Sequence, residues 1–380
     1  MPQSIFAEDA MPWHLLAPCA ALLMFPQLMQ AFYSPALPDL ASAYALPAAQ
    51  AARLFAVHAV GFALGVLLWG WASDRIGRRP SLTLALVLCA MCCAGALLAP
   101  SFAWLLACQA IAGLAAAACS VVPQTLVRDL YDGPVLRRAY SHLGMALSAS
   151  PAIGLYAGAL LAAHGGYRST LLALSLASAA LCAWSLASLP ETRPGPGTPL
   201  SRALLQRMLA DRVLWRRAAM VALLNVAWGS YFALAPFLYE RLQAPAERLG
   251  ESGALLALAA AAGAALNNRL LARGWAEPQL LRLAALLLAG GALAMRALDG
   301  NTAFALAMVP VITAFGLAIP NLLGPALAAY ADCRGLAGAL FALVYYLLIG
   351  AGMEAVSAWG SLPGVLGVCA AGFTLLLVRR

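Results

Sequence analysis

Apolar runs of about twenty residues recur along this whole chain, and nearly all the charge lies in the short gaps between them. Of 380 residues, 63% are hydrophobic and only 10% are charged, against about 25% charged in a soluble domain. So little charge cannot hydrate so much apolar surface, which leaves lipid as the solvent. A crossing helix needs about 20 apolar residues, so twelve crossings with short loops nearly fill the length. The runs fall at 13–34, 49–71, 81–99, 102–125, 140–162, 169–188, 216–238, 250–271, 278–296, 302–327, 336–358 and 362–378. They predict an all-α membrane protein.

The gaps carry the orientation signal. None of the 23 basic residues is lysine, and arginine bias in short loops marks the cytoplasmic side. With the N-terminus inside, 18 arginines fall on the inner side, and Arg53, Arg168, Arg241, Arg248 and Arg296 on the outer. Both termini are then cytoplasmic. The net charge of +8 is spread over these gaps and not gathered on one soluble face, so no nucleic-acid partner is expected. The first ten residues carry Glu8 and Asp9 but no arginine, unlike a signal peptide, so the first apolar run is expected to remain as a span. Cys89 and Cys92 form a CxxC inside an apolar run with no second pair or nearby histidine, which predicts helix packing. His14, His142 and His164 lie near membrane edges without metal-ligand spacing, so neither metal nor cofactor is expected.

The longest polar stretch, Glu191 to Arg217, holds "RPGPGTP" and then an amphipathic arginine-rich segment. It separates six runs from six, giving halves at 1–190 and 216–380 joined by a linker at 191–215. The second part of the linker is expected along the membrane surface, its arginines facing anionic lipid. Two such halves are the layout of transporters built from repeated units, although no strong residue-level repeat is evident.

Between the second and third runs stands "GWASDRIGRRP", Gly70 to Pro80. Gly70 would allow close helix approach, Gly77 a tight turn, and Arg75, Arg78 and Arg79 would hold the turn inside. Asp74 is the sole acid among these arginines, with Arg128 as its candidate partner. The stretch resembles motif A of the major facilitator superfamily. "FYSPALPDLASAY" (Phe32 to Tyr44), "LVRDLYD" (Leu126 to Asp132) and "LPET" (Leu189 to Thr192) are similar to the bicyclomycin/chloramphenicol-resistance branch of the drug:proton antiporters. "SASPAIGLYAG" (Ser148 to Gly158) resembles the antiporter motif C, in which Pro151 would kink the helix and Gly154 and Gly158 would admit a neighbour. The resemblance implies two six-helix bundles around a central cavity that opens to each side in turn. The chain has no ATP-binding loop, so a proton gradient or the solute's own gradient would supply the energy.

Two charges usual in the resembled branch are replaced. Ala31 stands where an Asp in the first span is expected, and Leu106 where the motif B arginine would precede Gln109. The remaining proton-coupling candidates are His58, which shares a helical face with Gly61 and Gly65, and Glu354 in the eleventh run. A neutral histidine bonded between helices and a hydrated interfacial carboxylate are the plain alternatives. Gln27, Gln30, Tyr33, Ser148, Tyr156, Asn225, Trp228, Tyr231, Asn321 and Tyr345 are candidates for an uncharged, amphipathic solute cavity, each also open to a packing role. Pro310, Pro320 and Pro325 would bend the tenth span.

These features predict a monomeric secondary transporter of a bacterial inner membrane, with a small-molecule substrate, a proton gradient and the lipid bilayer as its partners. Export of a drug or metabolite by proton antiport leads. A dedicated exporter of an endogenous product such as a siderophore, or an uptake symporter, is the alternative. No enzyme is expected, because the spans hold one central histidine and no lysine.

Overall fold

The computed structural model describes residues 13–192, 202–245, 247–330 and 334–378. Its helices are α1 (Trp13–Ala43), α2 (Ala48–Ile76), α3 (Arg78–Leu97), α4 (Phe102–Leu130), α5 (Gly133–Ser188), α6 (Arg202–Ala210), α7 (Arg212–Arg241), α8 (Glu247–Ala272), α9 (Glu277–Ala297), α10 (Met308–Ala326), α11 (Arg334–Trp359) and α12 (Leu362–Val378). A short 3-10 turn, Thr302–Ala307, leads into α10. Ten of these elements are long and apolar enough to cross a membrane. One of the ten, α5, is two arms, because Gly165 and Gly166 leave helical geometry and reverse the chain. With both arms and the shorter apolar α12, the path makes twelve passes.

Several helices outrun the apolar runs. The first continues to Ala43 through Pro35 and Pro38, since neighbouring helices can satisfy the backbone groups a proline frees. The first arm of α5 starts at Gly133, with Pro134 in the first turn, where its missing N–H costs nothing. The seventh begins at Arg212 and not 216, because the Asp211 carboxylate caps it, accepting from the Val213 and Leu214 amides. Pro310 sits in the first turn of α10, a position that does not bend a helix; Pro320 and Pro325 lie inside.

The two sets of six passes repeat one pairing pattern, even though the residues do not repeat. In the first, α1 packs on the first arm of α5, α2 on α4, and α3 on α4 and the second arm of α5. In the second, α7 packs on α11, α8 on α10, and α9 on α10 and α12. Glycine brings the central pairs to backbone contact in both: Gly61 and Gly65 lie on Ala110 and Leu114, and Gly263 on Thr313 and Gly316. The halves join through α2 with α11 and α5 with α8, two contacts that exchange under the same pairing.

Named contacts between the halves gather toward the end with few arginines. Gly350 of α11 lies against Val60, the Phe62 and Tyr346 rings are 4.7 Å apart, and Gly250 of α8 meets Tyr156 and Ala159. Ser34 of α1 donates to the Phe232 carbonyl of α7 at 2.6 Å.

The first part of the linker, 193–201, lies outside the described residues. Its helical part, α6, packs Leu204 and Met208 against Leu214, Ala218, Tyr330 and Phe341 of the second half. Arg207 stacks on the Tyr330 ring, 4.5 Å from its centroid, and so does not turn wholly to lipid as expected.

Candidate functional site

The turn between α2 and α3 is held by its own Asp74 and by acids from two other segments, Asp129 at the end of α4 and Glu191 after α5. Gly77 has φ +103°, a backbone form that a side chain disfavours, and a Cβ there would meet the Glu191 carboxylate at 2.7–2.8 Å. That carboxylate accepts from the Arg78 amide at 2.7 Å and the Arg79 amide at 3.1 Å, an anion on the first amides of α3. The buried Arg78 guanidinium reaches Asp74 at 2.6 Å, Asp129 at 3.2 Å and the Ser73 hydroxyl at 2.8 Å. Thr192 also donates to Asp129 at 3.1 Å. Thus "LVRDLYD" and "LPET" supply the acids that lock motif A.

Two expectations for this turn are corrected. Asp74 pairs with Arg78 and not with Arg128, whose Nε donates to the Gln124 carbonyl one turn back in α4. Gly70 approaches no neighbour; a Cβ there would meet open space. Arg75 lies over the Trp71 ring at 4.3 Å, and Arg79 donates to the Leu186 carbonyl.

Motif C forms a wedge. On one side of the first arm of α5, Gly154 faces the Ala31 methyl and Gly158 the Phe32 backbone of α1; a Cβ on either would overlap them. On the other side, Leu155 and the Pro151 carbonyl meet Gly253 of α8, in the opposite half. Ala31 is fully buried in this contact.

Prolines free carbonyls along these helices, and polar side chains take them up. Pro236 cannot donate to the Phe232 oxygen one turn earlier, which accepts from Ser34 instead. Pro151 likewise frees the Leu147 oxygen, bonded by Ser150 at 2.7 Å. Pro325 frees the Asn321 oxygen, bonded by Arg217 at 3.0 Å. Arg217 also pairs with Glu277 at 2.7 Å.

His58 is 1% exposed, and its Nδ1 lies 3.4 Å from the Gln109 amide nitrogen of α4. Its Nε2 has no partner among the described residues. The ring stacks on Phe62 at 6.4 Å, Phe62 meets Tyr346, and Tyr346 meets Tyr345 at 4.6 Å. An aromatic seam therefore runs from the histidine into the other half. Glu354 is not an isolated hydrated carboxylate: it pairs with Arg53 of α2 at 2.9 Å, again across the halves. The sequence offered the clue, since Arg53 stands inside an apolar run at the arginine-poor end and needs an acid there.

The cavity candidates separate. Tyr231 is wholly buried and donates to Ser252 of α8 at 2.7 Å, and Asn321 donates to Asn267 at 2.7 Å; both are interhelical bonds, not cavity groups. Tyr33 is buried as well. Gln27 and Tyr156 are exposed, and Gln30, Asn225, Trp228 and Tyr345 half-buried. Asn225 bonds back to the Val221 carbonyl, while Trp228 packs edge-on against Phe315 at 4.6 Å and its indole N–H is unpartnered among the described residues. The Ser148 side chain lies outside the described residues.

Comparison with known proteins agrees with this architecture. The Major Facilitator Superfamily pattern matches residues 19–353. An uncharacterized transporter of Rickettsia bellii is 25% identical, over 89% of this chain and 87% of its own. Multidrug resistance protein MdtL of Escherichia coli is 26% identical, over 96% and 94%. Among solved structures, a D-xylose–proton symporter superposes with a TM-score of 0.75 over 97% of this chain and 98% of its own; at 14% identity it speaks to the fold alone. With twelve passes in two alike halves, a motif A turn locked by its own half and the pattern covering most of its length, the chain belongs to the major facilitator superfamily.

Proposed function

We propose that this membrane transporter exports a small amphipathic solute, a drug or a metabolite, by proton antiport. It works as a monomer in a bacterial inner membrane with both termini cytoplasmic. The arginine-rich end is then the inner one, and the halves, joined toward the outer end, leave the solute path open to the cytoplasm. The observation that carries this reading is the seam from His58 through Phe62 to Tyr346 and Tyr345. It sets a buried imidazole with a nitrogen unpartnered among the described residues beside aromatic surface shared by both halves, where a proton and an uncharged or weakly charged solute can act on one another. Gln30, Trp228 and Tyr345, only half-buried, would meet the solute.

Coupling is assigned to His58 and not to Glu354, whose carboxylate is already paired with Arg53. The full-length similarity to a multidrug resistance protein supports export of a drug. A second reading, a dedicated exporter of an endogenous product, is favoured by Ala31, a buried methyl packed on Gly154 where the resembled drug pumps carry an acid.

Everted membrane vesicles carrying the protein, with an acidified interior, test the proposal. At least one amphipathic compound of a broad panel should accumulate and dissipate the pH gradient as it enters. Accumulation without proton release would overturn antiport, and no accumulation across the panel would overturn drug export in favour of a dedicated substrate.

A further inference from the structure

A groove of about 460 Å³ opens on the flank of the molecule where α2 and α4 of one half meet α11 of the other. Val57, Val60, Leu64, Ile111 and Leu347 line it, and Glu354 is its only ionisable wall residue. Val60, Leu64, Ile111 and Leu347 are each 39–50% exposed, which for a spanning helix means a face turned to lipid. Along α2 the lining runs from Ala56 to Leu64, about 12 Å at ~1.5 Å per residue, with Arg53 about one turn beyond it. One leaflet of a bilayer is about 15 Å of hydrocarbon, so the groove takes up most of a single acyl layer, with the Arg53–Glu354 pair at its mouth. Its charged mouth lies five residues before the exposed Trp359 that ends α11, about 8 Å from that end, which is the depth of the headgroup boundary.

We infer that this groove seats an ethanolamine phospholipid, with an acyl chain along α2 and the zwitterionic headgroup across Arg53 and Glu354. The pair offers both charges side by side at one apolar mouth. Its contact uses Nε of Arg53 and Oε1 of Glu354 at 2.9 Å. The two terminal nitrogens of the guanidinium are left for a phosphate, which they suit in paired geometry, and Oε2 for an ammonium with N–H donors. An anionic headgroup would satisfy Arg53 and be repelled by Glu354. A choline headgroup has no N–H to give the carboxylate. Because α2 and α11 belong to different halves, the bound headgroup fastens them at this end.

Native mass spectrometry of the delipidated protein, with phosphatidylethanolamine, phosphatidylcholine and phosphatidylglycerol added in turn, tests the seat. One ethanolamine lipid should be retained in preference to the other two. Glu354→Gln should weaken that retention about tenfold, the loss of a charge-assisted bond. Ala351→Trp, which fills the groove and leaves both charges, should weaken it too, so that an effect of the charge change on folding cannot mimic the result. Equal retention of all three lipids would reduce the groove to ordinary annular contact and overturn the inference. So would a preference for phosphatidylglycerol, or undiminished ethanolamine retention in both variants.

Discussion

The Ser34 hydroxyl donates to the Phe232 carbonyl at 2.6 Å, across 198 positions of chain and between the two halves. The acceptor is free because Pro236 stands where its helical donor would be. Removing the hydroxyl strands a buried carbonyl, so Ser34→Ala should cost about 1–3 kcal/mol. Pro236→Ala would return an N–H to α7 and should recover most of that loss. Thermal unfolding of the single and double variants measures the coupling; additive losses would contradict the proline-freed acceptor.

Arg78 is the hub of the motif A turn, and its replacement leaves Asp74 and Asp129 facing each other without it. Both carboxylates are partly exposed, 39% and 25%, so water offsets some of the cost. Arg78→Ala should destabilise by about 3 kcal/mol, the low end for a broken buried pair. Arg128→Ala, at an exposed side chain bonded within its own helix, should change stability by less than about 0.5 kcal/mol. Unfolding midpoints of the two variants separate the roles, and equal losses would restore Arg128 as the partner.

Motif C predicts a compensating pair. Gly154→Ala places a methyl on the Ala31 methyl and should force α1 from α5, with a loss of about 1–3 kcal/mol and of transport. Ala31→Gly in the same chain vacates that space and should restore much of both. A double variant no better than Gly154→Ala alone would place the strain elsewhere.

His58→Asn keeps a hydrogen-bonding group near Gln109 but cannot titrate. The account predicts that solute binding survives while pH-driven counterflow is lost. Gln109→Leu should disturb the imidazole without removing its proton, shifting the pH profile of transport and not abolishing it. Antiport undiminished in His58→Asn would remove the histidine from coupling.

The passes and the Gly70–Pro80 turn were legible because hydropathy and glycine–arginine spacing are local properties of the chain. The partners were not. Asp129 and Glu191 lie 51 and 113 positions from Arg78, and nothing local says which acid folds back onto it. Tyr231 and Asn321 read as cavity groups because a polar side chain at membrane depth looks the same whether it faces a solute or Ser252 and Asn267 on the next helix. Proline positions do mark which carbonyls need outside donors. Ser34 as the donor for Phe232 appears only once the halves are packed.

The central claim is that the two halves close one end as they open the other. Spin labels at Gln50 and Ala358 report the arginine-poor end, and labels at Ile76 and Arg273 the arginine-rich end, in a background without the nine native cysteines. Distances by double electron–electron resonance, taken with and without solute and across pH, should show the first pair lengthening as the second shortens. Pairs that lengthen together, or that stay fixed under every condition while transport proceeds, would contradict the account.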